Sequence, residues 1–261
     1  MSSEQDQVKV AQEEQATPAP KEQEESSKSH DVGELIAESK AYRKRAQTSE
    51  SKVKKLQAQL KSIEEQGKWI SDIIDSVGMK EASLVGHSQG CLISMECAAQ
   101  FPDKIKSLSL MGGAGAIPMN PELLDLAEKG ETKAVDLMMD WAHGTAGHFG
   151  GHAVPGLHHI NIGGSIIHNG SVKNALGVDF RACNNYKNGF EAAKKVQCPT
   201  INILGNKDRM CPVKEGKKLA DCITGSQVEI IPNCGHMILL EEADQALAIL
   251  KKFITTNHPG N

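Results

Sequence analysis

The stretch Gly86-His87-Ser88-Gln89-Gly90 decides the fold of this 261-residue chain, and its surroundings matter as much as the motif itself. The segment Ala82-Ser83-Leu84-Val85 before it is short and apolar, as in a buried strand, and residues 91–99 after it are typical of a helix. A G-x-S-x-G sequence between a strand and a helix predicts a sharp turn that holds a serine hydroxyl at the carboxyl edge of a sheet. We expect the two flanking glycines to permit the bend and Ser88 to be a nucleophile.

The composition excludes several classes of protein. The net charge is -4 and the basic residues are scattered, so the sequence has no footprint for binding nucleic acid. No apolar run reaches the roughly 18 residues of a membrane span, and the start of the chain lacks the pattern of a signal peptide. Seven cysteines without a C-x-x-C pair indicate reduced thiols, so we expect a cytoplasmic protein that binds neither nucleic acid nor membrane.

Two segments precede the part of the chain that contains the motif. Residues 1–30 carry many acidic residues and no aromatic residue, which predicts a disordered acidic tail. Residues 31–66 are highly charged and predict a long helix, which either pairs weakly as a coiled coil or stands alone. The apolar heptad seam in its second half comprises Val53, Leu56, Leu60 and Ile63. Gly67 predicts a break, and we expect a separate domain over residues 67–261.

Strands and helices alternate in that domain. An amphipathic helix is predicted over residues 69–77. The predicted strands comprise residues 82–85, 107–111, 200–205 and 228–232, and helices are predicted over residues 213–222 and 242–255. This alternation predicts an α/β fold with a parallel sheet.

A long insertion, residues 118–196, separates the second and third predicted strands and predicts a helical cap over the carboxyl edge of the sheet. Its predicted helices comprise residues 120–127, 132–141, 171–175 and 179–188. Its histidines are His143, His148, His152, His158, His159 and His168. Because they lack strict ligand spacing, we favour a glycine-rich cap loop over a metal site or a substrate contact, and we expect neither metal nor cofactor.

Two side chains that could activate a serine follow later strands. Asp208 comes after the third predicted strand, and His236 comes after the fourth. Ligands bind at the carboxyl ends of parallel strands, where both residues are expected. We therefore predict Ser88 as nucleophile, His236 as general base and Asp208 as the carboxylate that orients it. The alternatives are a helix N-cap for Asp208 and a structural loop histidine for His236.

Three motifs in this order resemble the α/β-hydrolase family, in its capped serine hydrolase or esterase type. They are Leu84-Val85-Gly86-His87-Ser88-Gln89-Gly90, residues 199–208 (PTINILGNKD) and residues 232–237 (PNCGHM). The resemblance covers about residues 67–254. It implies that the backbone N–H of Gln89 forms half of an oxyanion hole. It also implies a cofactor-free enzyme that hydrolyses carboxylic esters of small acyl substrates through an acyl-enzyme.

The chain departs from that family upstream of Gly67, where neither the family's first strands nor its His-Gly loop is found. This departure indicates a truncated or rearranged hydrolase with a partial sheet, in which the segment near Ala82-Val85 is an apolar edge strand. The alternative function is therefore a catalytically impaired, hydrolase-like module. Such a module would self-associate through residues 31–66 or through the edge strand.

Overall fold

A computed structural model describes residues 33, 36–44, 62–148, 164–165, 167 and 174–257. The chain divides into two units, Met1–Ser51 and Lys52–Asn261. In the first unit, residues 36–44 are helical. The predicted acidic tail, residues 1–30, and most of the predicted charged helix lie outside the described residues, so both remain predictions.

Four parallel strands form the sheet of the second unit, in the order β1-β2-β3-β4. They are β1 Ala82–His87, β2 Ile105–Met111, β3 Thr200–Gly205 and β4 Gln227–Ile231. His87 pairs with Met111 at the end of β1, and Gly205 pairs with Ile231 at the end of β3. The strands therefore end on one edge, and the segments that follow them meet there. The predicted α/β fold class is confirmed.

The helices described in this unit surround the sheet or belong to the insertion. They are α1 Ile63–Ser76, α2 Gln89–Gln100, α3 Pro121–Glu128, α4 Thr132–Ala142, α5 Thr145–His148, α6 Ala175–Asn185, α7 Gly189–Ala193, α8 Val213–Ala220, α9 Ile238–Glu241 and α10 Ala243–Asn257. Pro102–Lys104 forms a single 3-10 turn. None of the helices that the structure describes combines the length and the apolar character needed to cross a bilayer.

The first helix differs from its prediction. α1 begins at Ile63 with a capping box, in which Ser62 Oγ accepts the Glu65 N–H at 3.2 Å and Glu65 Oε2 accepts the Ser62 N–H at 3.1 Å. The helix then runs through Gly67, where the sequence predicted a break. A Cβ at Gly67 would lie 3.0 Å from the backbone N of Cys97, so this glycine permits α1 to approach α2 closely.

The sheet is buried in the middle and exposed at both sides. β3 is buried along its whole length, and β2 nearly so. In β1, Ser83 and Val85 are exposed, with Val85 at 47%, and in β4 Val228 and Ile230 are also exposed. Within the described residues β1 pairs with β2 and with no other strand. β1 is thus an edge strand, as expected from the sequence.

The insertion forms a helical layer with its own apolar cluster. Leu123 and Ala127 of α3, Ala134 of α4 and Phe180 of α6 are buried together. The predicted starts of α3 and α4 are confirmed, and Asn120 caps α3 by accepting the N–H groups of Glu122 and Leu123. The helix predicted over residues 171–175 lies mostly outside the described residues, and the helix predicted over residues 179–188 is wrong in its bounds. The structure has α6 from Ala175 and a short α7 from Gly189, because both apolar segments pack on α2 and α3.

A buried carboxylate connects this insertion to the helix behind the sheet. Glu96 of α2 is 3% exposed. It accepts the Tyr186 O–H at 2.7 Å, the Asn188 Nδ2–H at 3.2 Å and the Gln100 Nε2–H at 2.9 Å. Burial and this carboxylate both raise the pKa of Tyr186. Because its acceptors are satisfied, the carboxylate holds the end of α6 and the start of α7 against α2.

Candidate active site

Ser88 occupies a strained turn between β1 and α2. Its backbone has φ 54° and ψ -121°, a combination that a non-glycine residue adopts at a cost of about 1–3 kcal/mol. The Ser88 N–H donates to the carbonyl of Met111 at 3.0 Å, which extends the pairing of β1 with β2 by one residue. The serine is half-buried at the N-terminus of α2. This is the local geometry that the G-x-S-x-G stretch predicts.

The two glycines of the motif have different roles. A Cβ at Gly86 would collide with the carbonyl of Gly90, so this position requires glycine. A Cβ at Gly90 would meet nothing within 4 Å, and Gly90 has no positive φ. The expectation that both glycines permit the bend is therefore wrong for Gly90. The glycine that permits the close backbone contact is Gly86, on the strand side of the turn.

Asp208 and His236 lie together at the carboxyl edge of the sheet. Asp208 Oδ2 is 2.8 Å from His236 Nδ1, and the two residues are 7% and 2% exposed. The other carboxylate oxygen accepts the N–H groups of Met210 and Cys211, both at 2.8 Å. These bonds orient the carboxylate toward the imidazole, and the carboxylate in turn sets the orientation of the ring.

His236 contacts the serine turn through His87, the residue before Ser88. The two imidazole rings have centroids 4.9 Å apart at an interplanar angle of 45°, and His87 Nε2 donates to the carbonyl of His236 at 2.7 Å. Burial, followed by the proximity of His236, lowers the pKa of His87, so its ring is neutral with the proton on Nε2. Among the described residues, His236 Nε2 has no hydrogen-bond partner. The structure records no hydrogen bond between this nitrogen and Ser88 Oγ.

Gln89 is the first residue of α2, so its backbone N–H belongs to the helix N-terminus, where positive dipole ends collect. Its side-chain Nε2 donates to Gln66 Oε1 of α1 at 3.5 Å. Burial raises the pKa of Asp179, and the Gln89 amide opposes this shift. A helix from the insertion therefore places a carboxylate beside the serine turn.

Cys91, in the first turn of α2, supports the serine turn through its buried side chain. Its thiol donates to the carbonyls of Gly86 and Met111, both at 3.3 Å. Burial raises its pKa to about 12, so the thiol stays protonated near neutral pH. All seven cysteines are free thiols, and five of them are buried. Cys91 is therefore a buried core residue beneath the serine turn.

A cavity of about 600 Å³ opens beside Asp208, and the residues that line it include neither Ser88 nor His236. Its lining includes Lys207 and Arg209 from the segment after β3 and Asp140, His143 and His148 from the insertion. The remaining histidines of the predicted cluster lie outside the described residues. Among the residues that the structure describes, no group of three or more histidine, cysteine or acidic side chains is arranged for a metal.

Three residues near this site were not predicted from the sequence. His87 occupies the variable position of G-x-S-x-G, and Asp179 lies on a helix that was predicted without any role. Glu241 is a buried acid five residues after His236, and its backbone contacts only become visible in the structure. For Glu241 a signal was present, because an acidic residue in an apolar stretch next to a candidate base is unusual.

Comparisons of the sequence with known proteins find several similar hydrolases. A family model described as alpha/beta hydrolase fold matches residues 25–144, beginning upstream of the boundary predicted at Gly67. A monoacylglycerol lipase of Xenopus laevis is 29% identical over 215 residues, covering 75% of this chain and 61% of that protein. A 2-hydroxymuconate semialdehyde hydrolase of Pseudomonas putida is 22% identical over 209 residues, covering 72% of this chain and 69% of that protein.

Solved structures show the same architecture. An esterase of Thermogutta terrifontis has a TM-score of 0.64 at 16% identity, covering 76% of this chain and 73% of that one. An enol-lactonase of Burkholderia xenovorans has a TM-score of 0.63 at 20% identity, covering 74% of this chain and 73% of that one. The chain thus spans about three fifths to three quarters of the length of these four proteins. The sheet, the strained turn and these matches agree that the chain has the α/β-hydrolase fold.

Proposed function

We propose that the protein is a serine hydrolase that cleaves carboxylic esters of small acyl substrates. The observation that carries the proposal is the buried 2.8 Å contact between Asp208 and His236, whose ring also touches the residue before Ser88. Such a carboxylate–imidazole pair beside a strained serine is the arrangement that activates a hydroxyl. A monoacylglycerol is itself a carboxylic ester, so the similarity to a monoacylglycerol lipase supports this substrate class.

The proposed mechanism gives one role to each member of the predicted triad. Ser88 Oγ attacks the ester carbonyl carbon while His236 Nε2 takes the hydroxyl proton, and Asp208 stabilises the resulting imidazolium. The backbone N–H of Gln89 donates to the oxyanion. The C–O bond to the alcohol then breaks as His236 returns the proton to the leaving oxygen. A water molecule, deprotonated by the same imidazole, hydrolyses the acyl-enzyme and releases the acid.

The test is turnover of a short p-nitrophenyl ester by the full chain. The Ser88→Ala variant should lose at least about 10³-fold in kcat, because the nucleophile is absent. Ser76→Ala, at the exposed end of α1, is the matched control and should retain the wild-type rate. A folded wild-type protein without turnover, or a Ser88→Ala variant with wild-type turnover, would contradict the proposal.

A second candidate function is supported by the exposed edge of β1. We infer that a hydrolase-like module with weak turnover would self-associate there, through Ala82–Val85, or through the heptad seam of residues 31–66. Light scattering on the full chain distinguishes the two routes. Substituting Leu56 and Leu60 by Asp should dissolve oligomers that the seam holds, and a monomeric wild-type protein would rule out both routes.

We also place the protein in the cytoplasm. The support is the free state of all seven cysteines, since an oxidising compartment favours disulfides.

A further inference from the structure

The segment that carries His236 is held by a buried carboxylate that the proposed reaction does not use. Glu241 ends α9 and is 8% exposed. Its Oε2 accepts the Gly235 N–H at 3.1 Å, and its Oε1 accepts the Met237 N–H at 3.2 Å. The two residues that flank His236 in the chain therefore bind one side chain.

The same carboxylate also binds the insertion. Glu241 Oε2 accepts the Gly144 N–H at 2.8 Å, just after α4 ends. In the opposite direction, the carbonyl of Ala142 accepts the His236 N–H at 2.7 Å and the Met237 N–H at 3.2 Å. The end of α4 and the histidine segment are thus joined by hydrogen bonds that run both ways around Glu241.

Two glycines allow the backbone to approach this carboxylate closely. A Cβ at Gly144 would lie 2.9 Å from Glu241 Oε2, and a Cβ at Gly235 would lie 2.7 Å from Glu241 Oε1. Both positions are therefore restricted to glycine by the acid and by the backbone beside it. Among the described residues, no lysine, arginine or histidine forms an ion pair with Glu241.

A buried anion without a cation is costly unless hydrogen bonds satisfy it. Here three backbone N–H groups do so, and hydrogen bonds to an ionised acceptor are about twice as strong as neutral ones. Losing Oε2 as an acceptor would leave the buried Gly144 and Gly235 N–H groups unsatisfied. Losing Oε1 would leave the Met237 N–H with the Ala142 carbonyl alone. The imidazole would then lose the backbone support that keeps Nδ1 on Asp208.

We propose that Glu241 is a positioning residue, which holds His236 in line with Asp208 and couples its placement to the end of α4. The proposal rests on the proposed function, in which His236 is the base. A carboxylate that fixes both chain neighbours of a base acts on the rate of proton transfer. Displacing the base therefore lowers kcat and leaves KM nearly unchanged.

The test compares Glu241→Gln with Glu242→Gln in the full chain. Glu242 is the next residue, and the recorded side-chain partner of its carboxylate is the Gln245 amide on the surface. We expect Glu241→Gln to lower kcat by about 10- to 100-fold with KM within about twofold, and Glu242→Gln to match the wild type. The Gly144→Ala variant adds a methyl group against the same carboxylate from the insertion. It should also lower kcat with KM nearly unchanged, and it provides the test if Glu241→Gln does not fold.

A second readout does not depend on turnover. The His236 Nδ1 proton, bonded to Asp208, should give a downfield proton resonance in the wild type and in Glu242→Gln. We expect it to shift or broaden in Glu241→Gln. If the wild type shows this resonance but hydrolyses no ester, the proposed function fails while the positioning role is still tested. Wild-type kcat together with an unchanged resonance in Glu241→Gln, even with lower thermal stability, would overturn the proposal.

Discussion

The two halves of the candidate site are supported in different ways. Asp208 and His236 are almost fully buried, and hydrogen bonds fix both the carboxylate and the segment that carries the imidazole. Ser88 directly follows β1, an edge strand in which Val85 is 47% exposed. The backbone angles of Ser88 itself are strained. The acid–base half is therefore fixed by several buried polar contacts. In the serine half, β1 pairs with β2 alone among the described residues, and the turn depends on Gly86 and on the buried Cys91 thiol.

The largest effect is expected in the acid–base half. Asp208→Asn keeps the shape of the side chain but favours the wrong histidine tautomer, so kcat should fall by about 10³–10⁴-fold. Asp140→Asn is the control, since Asp140 lines the same cavity but is exposed beside His148. Steady-state ester hydrolysis measures both. A loss below about 10-fold in Asp208→Asn would show that this half does not act as proposed.

The next prediction concerns the stability of the serine half. Gly86→Ala inserts a methyl group against the Gly90 carbonyl and should lower the free energy of unfolding by about 1–3 kcal/mol. Gly90→Ala has open space inside a helix and should raise it by up to about 1 kcal/mol. Urea unfolding of both variants measures the difference. Equal effects would mean that the turn is not shaped by the strand-side glycine.

A smaller, pH-dependent effect is expected at the junction of the two halves. In the folded chain, burial lowers the pKa of His87 below its ordinary value of 6.5. As the pH falls below 6.5, the unfolded chain therefore binds more protons at this residue than the folded chain does. The contribution of the neutral His87 ring to the free energy of unfolding is fully present above pH 6.5. It is lost as the pH falls through the lower pKa that His87 has in the folded chain. His87→Gln, which can still donate to the His236 carbonyl, should flatten this decline. Urea midpoints at pH 7.5 and pH 5.5 test it, and His148→Gln should keep the wild-type slope.

The smallest stability effect is expected at the exposed edge. Val85→Lys places a charge on β1 and should change the free energy of unfolding by no more than about 0.5 kcal/mol, because the side chain is already half exposed. It should nevertheless remove any self-association through this edge. Light scattering compares it with Val228→Lys on the opposite edge. Oligomers that survive Val85→Lys would assign the association to another surface.

Much of the fold followed from local sequence patterns. Alternating apolar strands and helices predicted the parallel sheet, and motifs after three strands predicted that Ser88, Asp208 and His236 share one edge. These succeed because a strand of five to seven residues and the turn after it are encoded by neighbouring residues. The start of α3 was also predictable, since Asn120-Pro121 is a local capping pattern.

Features that depend on contacts between distant segments were not predictable. Gly67 resembled a helix break, yet it serves the approach of α1 to α2. Gly90 resembled Gly86 in sequence, but only Gly86 meets the backbone across the turn. Glu241 binds Gly144, 97 residues away in the chain. A sequence pattern shows where a glycine or a buried acid could have a structural role. The packing of distant segments decides what that role is.

The most direct test of the account is to locate a covalent adduct by peptide mass spectrometry after treating the full chain with a fluorophosphonate. This reagent phosphonylates a serine oxygen with loss of fluoride only where a neighbouring base activates the hydroxyl. The account predicts one adduct, on Ser88, formed in the wild type, absent in Ser88→Ala and strongly slowed in Asp208→Asn. A folded wild-type protein that carries no adduct, or carries it on another residue, would contradict the central claim.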